Sequence, residues 1–313
     1  MSARLLSRAD VEAVLDPDEL INALADAFRD LSAGRASMPL RTAATAPAGL
    51  LAVMPAYLPA ASALTVKLVT LFKGNTGTEL PTHQAVIGVF SPERGNLLAL
   101  MDGTWITAAR TAAASALATR LLAREDARVL TIVGTGVQAR SHAWALPRVR
   151  AFDEVRVAGR DRAKAEALAD ELGGVAFDSF PDAIAGADVV CATTHSAEPV
   201  VRREWLGNGA HVTSVGMHPD GREIADEVVT EAFVVVESRG SAVAGFPTGS
   251  NELAGADPNS IAELGEVVAG AATPAAGALT LYKSVGVAVM DAAAAALVLT
   301  KAEERDIGRE IDL

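Results

Sequence analysis

The chain has 313 residues, half of them apolar, and carries 27 Lys and Arg against 39 Asp and Glu, a formal net charge of −12. That length and apolar share suit about two domains with substantial cores, and so acidic a surface, with no Lys/Arg-rich block, excludes nucleic acid as a natural partner. The one cysteine, Cys191, excludes an intrachain disulfide and fits a reducing cytoplasm.

The first ten residues reach Asp10 before any long apolar stretch, so no secretory signal is expected. The longest apolar run, Val285 to Leu299, is broken by Asp291 and falls short of a membrane span. The expectation is a soluble cytoplasmic protein.

In chain order, residues 1–36 read as helical. Asp16-Pro17-Asp18-Glu19 is a helix start, followed by the period Leu20, Ile21, Leu24, Ala27, Phe28, Leu31, with Gly34 as the stop. From Arg41 to Met101 the pattern changes to short strands. Leu51–Met54, Ala63–Phe72 and Gln84–Phe90 are strand-like, and the turn Ser91–Asn96 leads into Leu97–Leu100. No helices alternate with these strands, which predicts an antiparallel or mixed sheet.

An Ala-rich helix over Thr104–Ala123 then opens a different rhythm. Strands at 129–133, 155–157, 188–192, 211–215 and 233–237 alternate with helices at 138–149, 163–172 and 180–185. Near-continuous apolar strands alternating with helices predict an α/β fold, a Rossmann-type doubly wound parallel sheet. The last helix, roughly 283–304, is too long and apolar to stand alone and is expected to cross back. The expected division is an α+β substrate-binding and dimerisation domain at 1–115, completed by about 295–313, and a dinucleotide-binding domain at 116–294.

Gly134-Thr135-Gly136-Val137-Gln138-Ala139 is G-x-G-x-x-A, placed after a strand and before a helix. The small residues allow a tight turn, room for a pyrophosphate and close helix–strand contact, and the helix N-terminus supplies amide donors. An NAD site places Asp or Glu at the end of the second strand. Here that stretch is Ala158-Gly159-Arg160-Asp161-Arg162. Arg160 and Arg162 suit a 2′-phosphate, so NADP(H) is expected over NAD(H). NAD(H) remains open, since a shift of one or two residues would bring Asp161 to the ribose.

Three charges stand in apolar surroundings: Lys67 in mid-strand, Arg110 on the Ala-rich helix, and Asp291 in the last helix. Each has an ordinary reading, as a snorkelling edge lysine, a solvent face or a capping carboxylate. Together they favour a charged site. His83 reads as structural, and His195, His211 and His218 lack metal-ligand spacing. G-x-S-x-G is absent. No catalytic metal is expected.

These residues resemble one family, the ornithine cyclodeaminase/mu-crystallin family. The marks are Arg41, Met54-Pro55, Thr65-Val66-Lys67, Pro81-Thr82-His83, Met101-Asp102-Gly103, Thr107–Ala113, the glycine turn, Glu263–Val267, Lys283–Gly286 and Asp291. The resemblance implies a homodimer formed through the first domain and a site in the cleft between domains. It also implies that Arg41, Lys67 and Arg110 surround a substrate carboxylate, with Met54 and His218 on the substrate side and the Thr82 loop and Asp291 near the nicotinamide. Crowded by two guanidinium groups and partly desolvated, Lys67 should have a lowered pKa and could shuttle a proton.

The family's cyclodeaminases carry an acidic residue just after the glycine of the strand ending here at Val215-Gly216. This sequence offers His218 instead, and Ala56 is not acidic either. The expectation is therefore NAD(P)(H)-dependent hydride transfer at the α-carbon of an amino acid or its cyclic imine, of the ketimine reductase or amino-acid dehydrogenase type. The alternatives are ornithine cyclodeamination with recycled NAD and a non-catalytic NADP(H) or small-ligand binding protein.

Overall fold

The computed structural model describes residues 2–245 and 247–312. In chain order the elements are β1 (Ser2–Leu6), α1 (Arg8–Val14), α2 (Pro17–Ser32), β2 (Thr42–Ala46), β3 (Gly49–Leu58), β4 (Ala63–Leu71), β5 (His83–Phe90), β6 (Leu97–Asp102) and α3 (Gly103–Leu122). There follow β7 (Val129–Val133), α4 (Val137–Ala145), β8 (Glu154–Ala158), α5 (Arg162–Leu172), β9 (Val175–Phe177), α6 (Phe180–Ile184), β10 (Val189–Ala192) and β11 (His211–Ser214). The remainder is α7 (Asp226–Glu231), β12 (Phe233–Val236), α8 (Arg239–Ala242), β13 (Ala262–Glu263), α9 (Leu264–Val268), β14 (Thr280–Lys283), α10 (Ala288–Glu304) and β15 (Arg309–Asp312).

Two compact units result. One runs to Arg110 and resumes at Val287; the other is Thr111–Gly286. The expected division at 115/116 and 294/295 therefore shifts. Position 294 lies inside α10, which packs as one body on α2, β3, β4 and β5, so the whole helix goes with the first unit.

The first unit is built on a seven-stranded sheet in the order β15-β1-β6-β5-β4-β3-β2. It is mixed, because β1 pairs in parallel with β6 while its other pairs are antiparallel. Strand β1 corrects the expectation of helix from the start of the chain. Its amide and carbonyl groups are taken by two strands distant in sequence, and Ser7 then caps α1 in a capping box with Asp10. Alternation along β4 buries Ala63, Thr65, Lys67 and Val69 on the face covered by α10. Helix α2 begins as the sequence predicts, with Asp16 accepting from the Asp18 and Glu19 amides and Pro17 in the first turn.

The second unit is an eight-stranded parallel sheet in the order β13-β12-β14-β11-β10-β7-β8-β9. Its central strands are buried along their whole length, as a sheet covered on both faces requires. Neighbours β7 and β10 lead in opposite directions from the middle, which puts a topological switch point at their carboxyl ends.

Candidate active site

Lys67 sits at the centre of the first unit's sheet, in register with Met54 on β3 and Ile87 on β5, and is 1% exposed. Arg110 comes from α3 and Asp291 from the first turn of α10, both buried. The Asp291 carboxylate bridges the two cations. Its Oδ2 lies 2.7 Å from Lys67 Nζ and its Oδ1 accepts from Arg110 Nε at 3.0 Å. Lys67 also donates to the Thr107 hydroxyl at 3.4 Å, and that hydroxyl donates to the Gly103 carbonyl.

The electrostatics follow from this packing. Burial lowers the Lys67 pKa, Asp291 raises it, and Arg110 and Arg41 lower it, leaving it at about 7. Burial opposes ionisation of Asp291, but Lys67, Arg110 and Arg41 outweigh it and hold the carboxyl below the ordinary range. His83, at the start of β5, is pushed down to about 4 by burial and then by Lys67 and Arg110. It is neutral at ordinary pH and adds no charge. Arg41, Lys67 and Arg110 thus face one buried carboxylate, a surplus of positive charge that suits an incoming anion.

In the second unit, the glycine turn joins β7 to α4. Gly134 has φ of +122°, and a Cβ there would come within 2.5 Å of the Thr193 hydroxyl, so only glycine fits. A Cβ on Gly136 would meet nothing within 4 Å, which leaves the approach to the α4 N-terminus open. These residues line a pocket of about 380 Å³ together with Gly159, Arg160, Lys164 and the loop after β10. The α4 N-terminus, with Arg160 and Lys164 beside Asp161 in the lining, fits a dinucleotide pyrophosphate.

The sequence-predicted residues fall into two groups. Arg41, Met54, Lys67, Arg110 and Asp291 gather in the first unit. Gly134, Thr135, Gly136 and Arg160 line the pocket at the glycine turn, with Val137 and Gln138 opening α4. Asp291, expected near a nicotinamide, has its carboxylate engaged by Lys67 and Arg110. Thr82 is exposed ahead of β5, its carbonyl accepting from the Phe72 amide.

Arg162, expected at the cofactor, is held instead by Glu166 and Asp178. Asp161 caps α5, accepting from the Lys164 amide at 3.2 Å. His218 packs its ring 4.7 Å from that of His195, which lines the pocket. Sequence reasoning missed Thr107, Lys164 and the loop after β10. Lys164 was findable, since it lies two residues past Arg162 in the first turn of α5.

A glycine turn at the head of a parallel sheet, with a buried lysine poised near neutrality among further cations, defines a class: nicotinamide-dinucleotide enzymes, oxidoreductases or cyclodeaminases. The chain belongs to the ornithine cyclodeaminase/mu-crystallin family, which it matches over residues 1–306. It is 45% identical over 253 residues to the ketimine reductase mu-crystallin of Mus musculus, covering 80% of each chain. It superposes on the Δ1-pyrroline-2-carboxylate reductase of Thermococcus litoralis, solved with NADH and L-proline, with a TM-score of 0.91 at 36% identity, covering 98% of this chain and 100% of that one. An archaeal alanine dehydrogenase dimer with bound NAD gives 0.92 at 31% identity over the whole of both chains.

Proposed function

We propose that the chain catalyses NAD(P)H-dependent reduction of a cyclic imine bearing an α-carboxylate, and the reverse oxidation of the corresponding amino acid. The observation that carries this reading is the Lys67 ammonium at a pKa of about 7 beside Arg110 and Asp291. Arg41 and Arg110 hold the substrate carboxylate by charge-assisted bonds, fixing the α-carbon. A bound reduced nicotinamide supplies the hydride. Lys67, protonated below about pH 7, donates its proton to the imine nitrogen, so that C=N becomes CH–NH; in reverse, neutral Lys67 takes that proton back. Asp291 keeps Lys67 and Arg110 oriented and stops the Lys67 pKa falling further.

The relatives support this reading by their chemistry, imine reduction and amino-acid dehydrogenation. His218 and Ala56, where the cyclodeaminases carry acids, weigh against handling a second amine. The cofactor preference we propose is NADP(H). Arg160 and Lys164 line the pocket past β8, and Asp161, which lines it too, has one carboxylate oxygen engaged in capping α5.

The protein also acts as a homodimer in this reading. The sheet face of the first unit opposite Lys67 presents Leu51, Val53, Val66, Leu68 and Val86, of which Leu51, Leu68 and Val86 are exposed, and a continuous apolar face of this kind marks an association surface. Leu68→Glu is expected to convert the dimer to monomer in sedimentation; a monomeric wild type sinks the proposal.

The functional test is to follow NADPH and NADH loss with pyrroline-2-carboxylate, piperideine-2-carboxylate, and pyruvate plus ammonia, beside an ornithine-to-proline assay with NAD⁺. Stoichiometric loss with a cyclic imine supports the reductase. Proline formed without net cofactor consumption replaces it by cyclodeamination.

A further inference from the structure

A second cluster of buried charge lies behind the loops of the dinucleotide pocket. Glu223 is 2% exposed and receives four donors from the ends of two strands. Its Oε1 accepts from the Thr194 amide at 2.5 Å and the Thr194 hydroxyl at 2.6 Å. Its Oε2 accepts from the Ser214 hydroxyl at 2.8 Å and the Gly216 amide at 2.9 Å. Thr194 is two residues past β10, in the pocket wall, and Gly216 is two past β11.

The carboxylate is itself braced from below. Lys283, ending β14 and fully buried, donates to the Ser214 hydroxyl at 2.9 Å, the Gly216 carbonyl at 2.6 Å and Glu252 Oε1 at 3.1 Å. That same Glu252 oxygen accepts from the Glu223 amide at 2.8 Å. Next to it, the Asn251 side chain donates to the carbonyls of His218, Pro219 and Gly221. A Cβ on Gly216 would fall 2.3 Å from the Thr194 carbonyl, so the two loops close on each other at a position only glycine can occupy.

We propose that Glu223 is a positioning residue of the dinucleotide site. It fixes the wall of Thr193 to Ser196 against the Gly134 turn, and so sets dinucleotide affinity, while the cation cluster around Lys67 is left alone. This rests on the reading that the pocket holds the dinucleotide. Four converging donors require a group that only accepts, which a carboxylate is. A glutamine has one accepting oxygen and would turn its NH₂ toward two of the donors.

The test is Glu223→Gln, titrated with NADPH and with NADH by fluorescence, with hydrogen exchange of the segment around Thr194 followed in the cofactor-free protein. The expected result is a dissociation constant raised about tenfold for both dinucleotides, faster exchange at Thr194, and an unchanged KM for the imine. Should this variant fail to fold, Thr194→Val removes one donor only and is expected to weaken binding about threefold. Variants that bind like the wild type, or an imine KM that rises in step with the dinucleotide constant, overturn the proposal. A wild type that binds neither dinucleotide removes the reading of the pocket as well as this one; wild-type binding with unaffected variants removes this one alone.

Discussion

Each unit buries a lysine beside a carboxylate, and the two lysines are treated very differently. Among the described residues Lys283 has three partners, the Ser214 hydroxyl, the Gly216 carbonyl and Glu252. An ammonium has three protons to donate, so that lysine is saturated. Among the described residues Lys67 meets Asp291 and, at 3.4 Å, the Thr107 hydroxyl, and two arginines press on it. The saturated cluster, with two carboxylates to one cation, acts as scaffold. The other cluster sets three cations, Arg41, Lys67 and Arg110, against the Asp291 carboxylate, and in the proposed reading that surplus receives the substrate carboxylate. Donors and charges around the two buried lysines thus differ where their burial does not, and the proposed reading assigns brace to one and chemistry to the other.

The sharpest way to break this contrast is to remove each lysine in turn. Lys67→Met is expected to lower turnover of a cyclic imine by roughly 10²–10⁴-fold, with little loss of stability because Asp291 keeps Arg110. Turnover retained within a few-fold of wild type removes Lys67 from the chemistry. Lys283→Met should show the opposite balance, losing about 3–5 kcal/mol in urea unfolding because buried carboxylates lose their cation. A stability near wild type would mean that the brace is not electrostatic.

Asp291→Asn sharpens the comparison through pH. With Lys67 as the proposed proton donor, imine reduction is expected to slow as pH rises through the lysine's pKa of about 7, and the oxidative direction to quicken over the same range. Asp291 raises that pKa, so its loss moves both limbs to lower pH. A profile that stays put contradicts the pairing. The same depressed value has a stability consequence. Between about 7 and 10.5 the unfolded chain holds a proton that the folded protein has released, so the Lys67 contribution to stability rises with pH over that window. The smallest effect concerns selectivity: Arg160→Ala should weaken NADPH binding by about tenfold and leave NADH unchanged. Equal loss for both dinucleotides would remove Arg160 as a 2′-phosphate ligand.

Much of this was legible residue by residue. Lys67, Arg110 and Asp291 drew notice as isolated charges in apolar runs, and the glycine turn was readable because strand, glycines and helix follow in order. Their meeting was not legible, since Arg110 and Asp291 are separated by 181 positions and no local period encodes that contact. Strand β1 is hidden from the sequence for a related reason, its partners being β6 and β15. Glu223 gave no signal because Gly221-Arg222-Glu223 reads as a solvated loop. Lys283 closes the run Leu279-Thr280-Leu281-Tyr282, a charge at the end of a buried strand where Lys67 lies in the middle of one.

The return of the chain at Val287 has a consequence for biosynthesis. As the polypeptide emerges, the second unit is complete by Gly286 and can fold as a body. At that point the first unit still lacks α10 and β15, and with them Asp291, the carboxylate that pairs with Lys67 and Arg110. The first unit is therefore completed only after the second, and the carboxylate shared by its lysine and arginine comes from the returning segment.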